Sequence, residues 1–303
     1  MSERISFEDQ IQKNKIKSFI LIAVIFAFFI ILGYIISAVL DPSFFFIIMI
    51  FATIFSLIYV WLGYYYSDKI ALSSVRAKPA SQTEHRQLYH SAEGISIASG
   101  LPMPKLYVME SEEINAFASG RDPKHAVICF TTGAIKKLSK HELEGVMAHE
   151  MSHIANYDIR FMTLTAVLIG MISILAQLFL RSLWFSNLDG DNRDGRVQIF
   201  LIILGIVFAI LAPIVAQLVS FAISRKREYA ADASGVKFTR YPKGLADALR
   251  KIKNEHVPES ERKHITAKAM APLFISDPFK KKIQNMFSTH PPIDDRIKKL
   301  EMM

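Results

Sequence analysis

The sequence predicts a mainly α-helical membrane protein with a small β-sheet. Four hydrophobic helices are expected, with a soluble portion split in two by the second pair of them. Three observations lead there. The chain is 51% hydrophobic with a mean hydropathy of +0.26, and the apolar excess is gathered in four blocks rather than spread over 303 residues. The stretches outside the blocks carry helix-capping patterns and short strand-like runs. Immediately before the third block stands His149-Glu150-Met151-Ser152-His153, two histidines four apart.

In chain order, residues 1–17 form a polar, basic N-terminus. Residues 18–66 form a first helical hairpin. Residues 18–40 are uncharged and long enough to span, and Asp41-Pro42-Ser43 makes the turn. Residues 44–66 return and end in Trp61 and Tyr64-Tyr65-Tyr66, as an interfacial aromatic belt would. The apolar core of the first run is too long for a signal peptide, so the helix is expected to be retained.

Residues 67–161 read as soluble. Ser81-x-x-Glu84 is a capping box expected to open a helix towards Ile97, and residues 100–104 break it. Residues 106–109, 114–118 and 126–131 are strand candidates. Ser139-x-x-Glu142 is a second capping box, and Leu143, Val146, Met147 and Ile154 follow at helical spacing. The two histidines therefore lie on a helix. The one cysteine, Cys129, excludes both a disulfide framework and a Cys-rich zinc site, and within 126–130 it reads as a small buried hydrophobe.

Residues 162–223 form a second hydrophobic hairpin, with runs at 162–179 and 197–223. The acidic loop at 188–195 lacks EF-hand spacing and reads as a solvated turn. Residues 224–303 resume the soluble part, with helices expected at 224–241, 242–255 and the C-terminus. This segment carries 18 Lys/Arg against 10 Asp/Glu, which accounts for the whole net charge of +8. No nucleic-acid recognition motif accompanies that charge. Contact with anionic lipid head groups, on the positive-inside face, explains it better. The soluble segments are accordingly expected in the cytosol.

Residues four apart on a helix share a face, so His149 and His153 can hold one metal ion. Glu150 projects about 100° away, beside the metal rather than on it, where a carboxylate acts as general base on the attacking water. A catalytic zinc takes a third protein ligand, a downstream His, Asp or Glu. If the second hairpin returns the chain to the side it left, the first carboxylate there is Glu228. Asp232, one turn on, can brace an imidazole.

Three motifs, His149-Glu150-x-x-His153, Arg227-Glu228-x-x-Ala231-Asp232 and Thr289-His290-Pro291-Pro292, occur in order around the four apolar runs. The chain resembles, over nearly its whole length, the HtpX-type membrane zinc endopeptidases, relatives of the CAAX prenyl endopeptidases. That resemblance implies a gluzincin-like catalytic domain and one Zn2+ on His149, His153 and Glu228, with Glu150 as catalytic base. It adds His290 as a stabiliser of the tetrahedral intermediate. It also implies that Asn115, Ala116, Phe117 and Ala118 form an edge strand for extended polypeptide substrates. The implied role is quality control of misfolded or damaged membrane proteins in a bacterial cytoplasmic membrane, with the site facing the cytosol. The competing readings are a non-catalytic membrane protein with a structural zinc, an intramembrane protease, and a membrane-anchored adaptor.

Overall fold

The computed structural model describes residues 7–39, 45–166, 225–255, 273–275 and 291–303. Two long helices lead the chain, α1 (Phe7–Val39) and α2 (Phe45–Tyr65). Each contains a 21-residue apolar stretch, Asn14–Tyr34 and Phe45–Tyr65, long and apolar enough to cross a membrane by length and composition. They pack as a hairpin. At Gly33 a Cβ would come within 2.4 Å of the Ala52 Cβ, so only glycine allows this approach. The outer face of α2 is a continuous apolar surface, with Phe46, Ile50, Phe51, Ile54 and Ile58 each at least half exposed.

After α3 (Ser67–Ser74) comes a four-stranded sheet of order β1-β2-β4-β3. Its strands are β1 (Lys78–Pro79), β2 (Lys105–Met109), β3 (Ala116–Gly120) and β4 (Ala126–Thr131). β2 and β4 run parallel, and the other pairs are antiparallel. β4 is apolar from Ala126 to Phe130 because both its faces are covered. Ala126, Ile128 and Phe130 enter the main core, while Val127 and Cys129 enter a second core with Ala71, Leu72 and Phe117. Cys129 is a buried free thiol, as its apolar setting foretold.

Two sequence expectations need correction. The helix after Ser81 starts later, as α4 (Arg86–Ser99). The Glu84 amide donates to the Ser81 hydroxyl as in a capping box, but the His85 ring takes the Ser81 N–H that Glu84 would have to accept. The strand expected at 114–118 is shifted to 116–120. The Ile114 amide donates to the Glu255 carboxylate, and the register against β4 extends pairing to Gly120 opposite Ala126. β1, exposed and two residues long, has no apolar signature in the sequence.

The organising element is α6 (Lys140–Ala155), which follows the short α5 (Thr132–Lys137). Both bonds of the predicted Ser139/Glu142 capping box are present. Every residue from Gly145 to Ala155 is buried, because α4, β3 and two later helices surround α6. The chain then turns through Tyr157 in the left-handed region (φ 58°) and resumes as α7, residues 158–166. Phe161 and Leu164 of α7 pack on Leu21, Ile25, Phe28 and Phe29 of α1, joining the hairpin to the soluble part. The later helices are α8 (Arg225–Thr239), α9 (Pro242–Asn254) and α10 (Ile293–Glu301). In α9, Leu245, Leu249 and Ile252 face inward, as their spacing predicts. α9 crosses α6 closely enough that a Cβ on Gly145 would lie 2.5 Å from the Leu245 amide nitrogen. Most of the third apolar run, all of the fourth, and the 188–195 loop lie outside the described residues.

Candidate metal centre

α6 and α8 build the centre together. Ala231 and Gly235, four apart, present almost no side chain to α6. The Ala231 carbonyl accepts from the Ser152 hydroxyl at 3.1 Å, and a Cβ on Gly235 would sit 3.2 Å from the His149 amide nitrogen. That contact brings Glu228, one turn earlier on α8, against the paired histidines. His149, His153 and Glu228 are all buried, and one ligand atom from each lies within 4.8 Å of the others.

The donor set fits zinc. The two imidazole Nε2 atoms are 3.3 Å apart, and each is 3.7 Å from a Glu228 carboxylate oxygen. Tetrahedral zinc, with bonds of about 2.0–2.1 Å, spaces neighbouring donors by about 3.4 Å. Two neutral imidazoles and one carboxylate are also the ligand chemistry of catalytic zinc sites that keep one position for water.

Each histidine meets a carboxylate at its far nitrogen. His149 Nδ1 lies 3.0 Å from Asp232 Oδ1, and His153 Nδ1 lies 3.1 Å from Asp158 Oδ2. Such contacts fix the ring tautomer and aim Nε2 at the metal. Both carboxylates are in turn held by cations. Arg296 forks Asp232, with Nε to Oδ2 at 2.9 Å and Nη2 to Oδ1 at 2.6 Å, and its Nη1 reaches Glu228 Oε2 at 3.2 Å. Arg227 Nε lies 3.0 Å from Asp158 Oδ1. Asn14 Nδ2, from α1, donates to Asp158 Oδ1 at 2.7 Å and to the Asn156 carbonyl at 3.0 Å.

These surroundings set the protonation. Burial lowers the His149 imidazole. Burial also opposes charge on His153, but Asp158 and Glu228 outweigh it and raise its pKa to about 9. Burial pushes Glu150 up to about 7. Burial alone would raise Asp232 as well, yet Arg296 and His149 hold its carboxyl below the usual range.

The sequence missed four of these contributors. Arg227 stands in the Arg227-Glu228-x-x-Ala231-Asp232 motif without a role of its own, and Asp158 reads only as a polar residue before the third apolar run. Arg296 is 1% exposed, and its one readable sign is that it shares a helix face with buried Leu300, four residues on. Asn14 shares a face with buried Ser18 among lysines, which is a weaker sign still. Of the predicted edge strand, Ala116, Phe117 and Ala118 lie in β3, at the edge of the sheet, and Asn115 precedes it. The Ala118 amide hydrogen-bonds the Glu150 carboxylate, so the strand runs beside the centre. Part of its outer edge is already paired. The Ile275 amide donates to the Ala116 carbonyl at 3.0 Å, and Phe274 meets Phe117 edge-on at 5.2 Å. His290 lies outside the described residues.

A family model for peptidase family M48 matches residues 82–303, the span that holds all three proposed ligands. The chain belongs to peptidase family M48. It is 46% identical over 258 residues to a protein named Protease HtpX homolog from Caldanaerobacter subterraneus subsp. tengcongensis, covering 84% of each chain. It is 42% identical to a protein of the same name from Dictyoglomus thermophilum, over 98% of this chain and 95% of that one. The crystal structure of Ste24p from S. mikatae shares the fold at a TM-score of 0.50 and 20% identity, over 95% of this chain and 65% of that one. The HtpX-type resemblance carried by the three motifs therefore holds. This M48 protein is a metalloendopeptidase whose zinc site is His149, His153 and Glu228.

Proposed function

We propose that the chain is a membrane-embedded endopeptidase that hydrolyses peptide bonds of misfolded or damaged membrane proteins, with Glu150 as the general base. The observation that carries the catalytic part is the setting of Glu150. It is buried one residue from the ligand His149, with a pKa pushed up to about 7. A carboxylate in that range can take a proton and return it near neutral pH.

Zinc, when bound, acidifies a water and polarises the scissile carbonyl. The chain's own groups supply the rest. Glu150 accepts the water's proton as the water attacks the carbonyl carbon, and later gives that proton to the leaving nitrogen. Asp232 and Asp158 keep the two imidazoles aimed through the cycle. β3 beyond its contact with Phe274 offers main-chain groups to an extended substrate, which suits a protease tolerant of many sequences. His290, in the Thr289–Pro292 motif, is assigned to the developing oxyanion.

The apolar outer surface of α2 supports the membrane placement, and the charge of residues 225–303 supports a cytosolic site. The test of the chemistry is Glu150→Gln. That protein should bind zinc as wild type does and lose at least about a hundredfold in cleavage of an unfolded membrane-protein substrate. Wild-type cleavage by a zinc-loaded Glu150→Gln protein would overturn the assignment.

A further inference from the structure

We propose that the groove between α1, α2 and the start of α7 binds one anionic phospholipid, with its phosphate between Lys15 and Arg160. The groove has a volume of roughly 680 Å³, within the range of about 300–1,000 Å³ usual for small-molecule sites. Its two ends differ chemically. Phe19 and Ile22 of α1 and Leu57 and Ile58 of α2 form an apolar slot, while Lys15 and Arg160 stand at its mouth. An occupant that satisfies both ends has a hydrocarbon tail and an anionic head.

The two cations share the Tyr157 ring, and Arg160 lies equally close, at 5.5 Å, to the ring of Tyr64. Lys15 Nζ lies 4.6 Å from the centroid of Tyr157, and the Arg160 guanidinium lies 5.5 Å from it. Arg160 is steadied further by Nε donating to the Arg121 carbonyl at 2.7 Å. Among the described residues, neither cation has a carboxylate within ion-pair distance. Two cations gathered round one aromatic ring without a carboxylate partner among the described residues favour an anion beside them. The mouth also lies at head-group level. Lys15 follows the first residue of the apolar stretch of α1, and Trp61, Tyr64 and Tyr65 close the same end of α2. A lipid held there would bridge α1 to α7 beside the contact of Asn14 with Asp158.

This inference rests on the membrane placement proposed above, and one experiment separates the two. Trp61 lines the groove, and Trp184 is the only other tryptophan. A Trp184→Phe protein is reconstituted in vesicles of phosphatidylcholine containing either brominated phosphatidylglycerol or brominated phosphatidylcholine, and Trp61 fluorescence is followed. The expected result is quenching by both, with phosphatidylglycerol favoured at least about fivefold in relative binding constant. Lys15→Gln with Arg160→Gln should bring the two lipids level. Lys15→Gln alone, at an exposed position, should lower the preference at least about twofold without burdening the fold. Equal quenching by the two lipids in the parent protein overturns the site, and a preference that survives both substitutions overturns its assignment to these cations. Absence of quenching by either lipid overturns the membrane placement itself.

Discussion

Asn14, on the first membrane-length helix, donates to Asp158 at 2.7 Å, and Asp158 meets the zinc ligand His153 at 3.1 Å through its other oxygen. The hairpin and the metal centre are thus joined by two consecutive polar contacts inside the protein. Removing Asn14 leaves Asp158 Oδ1 to Arg227, with His153 still on Oδ2, and frees the turn at Asn156. Asn14→Ala should weaken zinc binding by about three- to tenfold, less than the 10- to 100-fold expected for Asp158→Asn, which touches the ligand directly. Chelator competition measures both. Ser18→Ala removes only the Ser18 hydroxyl's bond to the Asn14 carbonyl, so it should leave the zinc affinity within about twofold. Equal losses from Ser18→Ala and Asn14→Ala would show that α1 packing alone matters.

Arg296 neutralises two buried carboxylates at once. Arg296→Ala removes the guanidinium that balances Asp232 and Glu228, leaving them to the imidazoles in a dry interior, and should cost about 3–5 kcal/mol in the zinc-free protein. Zinc pairs with Glu228 and part of that cost should return on metal loading. Melting temperatures with and without zinc would show this as a larger zinc-induced shift in the variant than in wild type.

The zinc-free and zinc-loaded proteins should respond oppositely to pH. His153 is raised from 6.5 to about 9 in the fold, so its contribution is full below about 6.5 and is lost as pH rises through about 9. Glu150 is raised from 4.5 to about 7, so burying its neutral form stabilises the fold below about 4.5, and that contribution is lost as pH rises through about 7. Zinc must displace the proton of His153, so its affinity climbs over the same interval. The gain in melting temperature on adding zinc should therefore be larger at about pH 9 than at about pH 6. A gain that shrinks with rising pH would contradict the charge state assigned to His153.

Phe274 pairs with the outer edge of β3, the edge proposed above for an extended substrate. Phe274→Ala removes its ring from Phe117 and should lower stability by about 3 kcal/mol. Glu150 meets β3 at the Ala118 amide, beyond the Ala116–Ile275 bond, and keeps that contact, so zinc affinity should stay near wild type. Denaturant melts and chelator competition on one preparation separate the two effects.

The sequence by itself determined the features that depend on local periodicity. Residues four apart on a capped helix must face the same way, so His149 and His153 were legible as a pair, and Glu150 was legible beside them. The apolar lengths of 18–40 and 44–66 marked the first hairpin, and the burial of every residue of β4 followed from the unbroken apolar run at 126–130. Glu228 was reachable by topology and motif order, about 75 residues away. Tertiary structure alone decided the rest. Asp158 reaches His153 because Tyr157 turns the chain through a left-handed conformation. Arg296 and Asn14 arrive from opposite ends of the chain, and nothing in the spacing of a sequence records which distant polar groups a closed core will pair. The two histidine ligands sit on repeating local geometry, whereas the groups that orient and charge-balance them are chosen by packing, since each buried carboxylate must find its partner wherever the fold brings one.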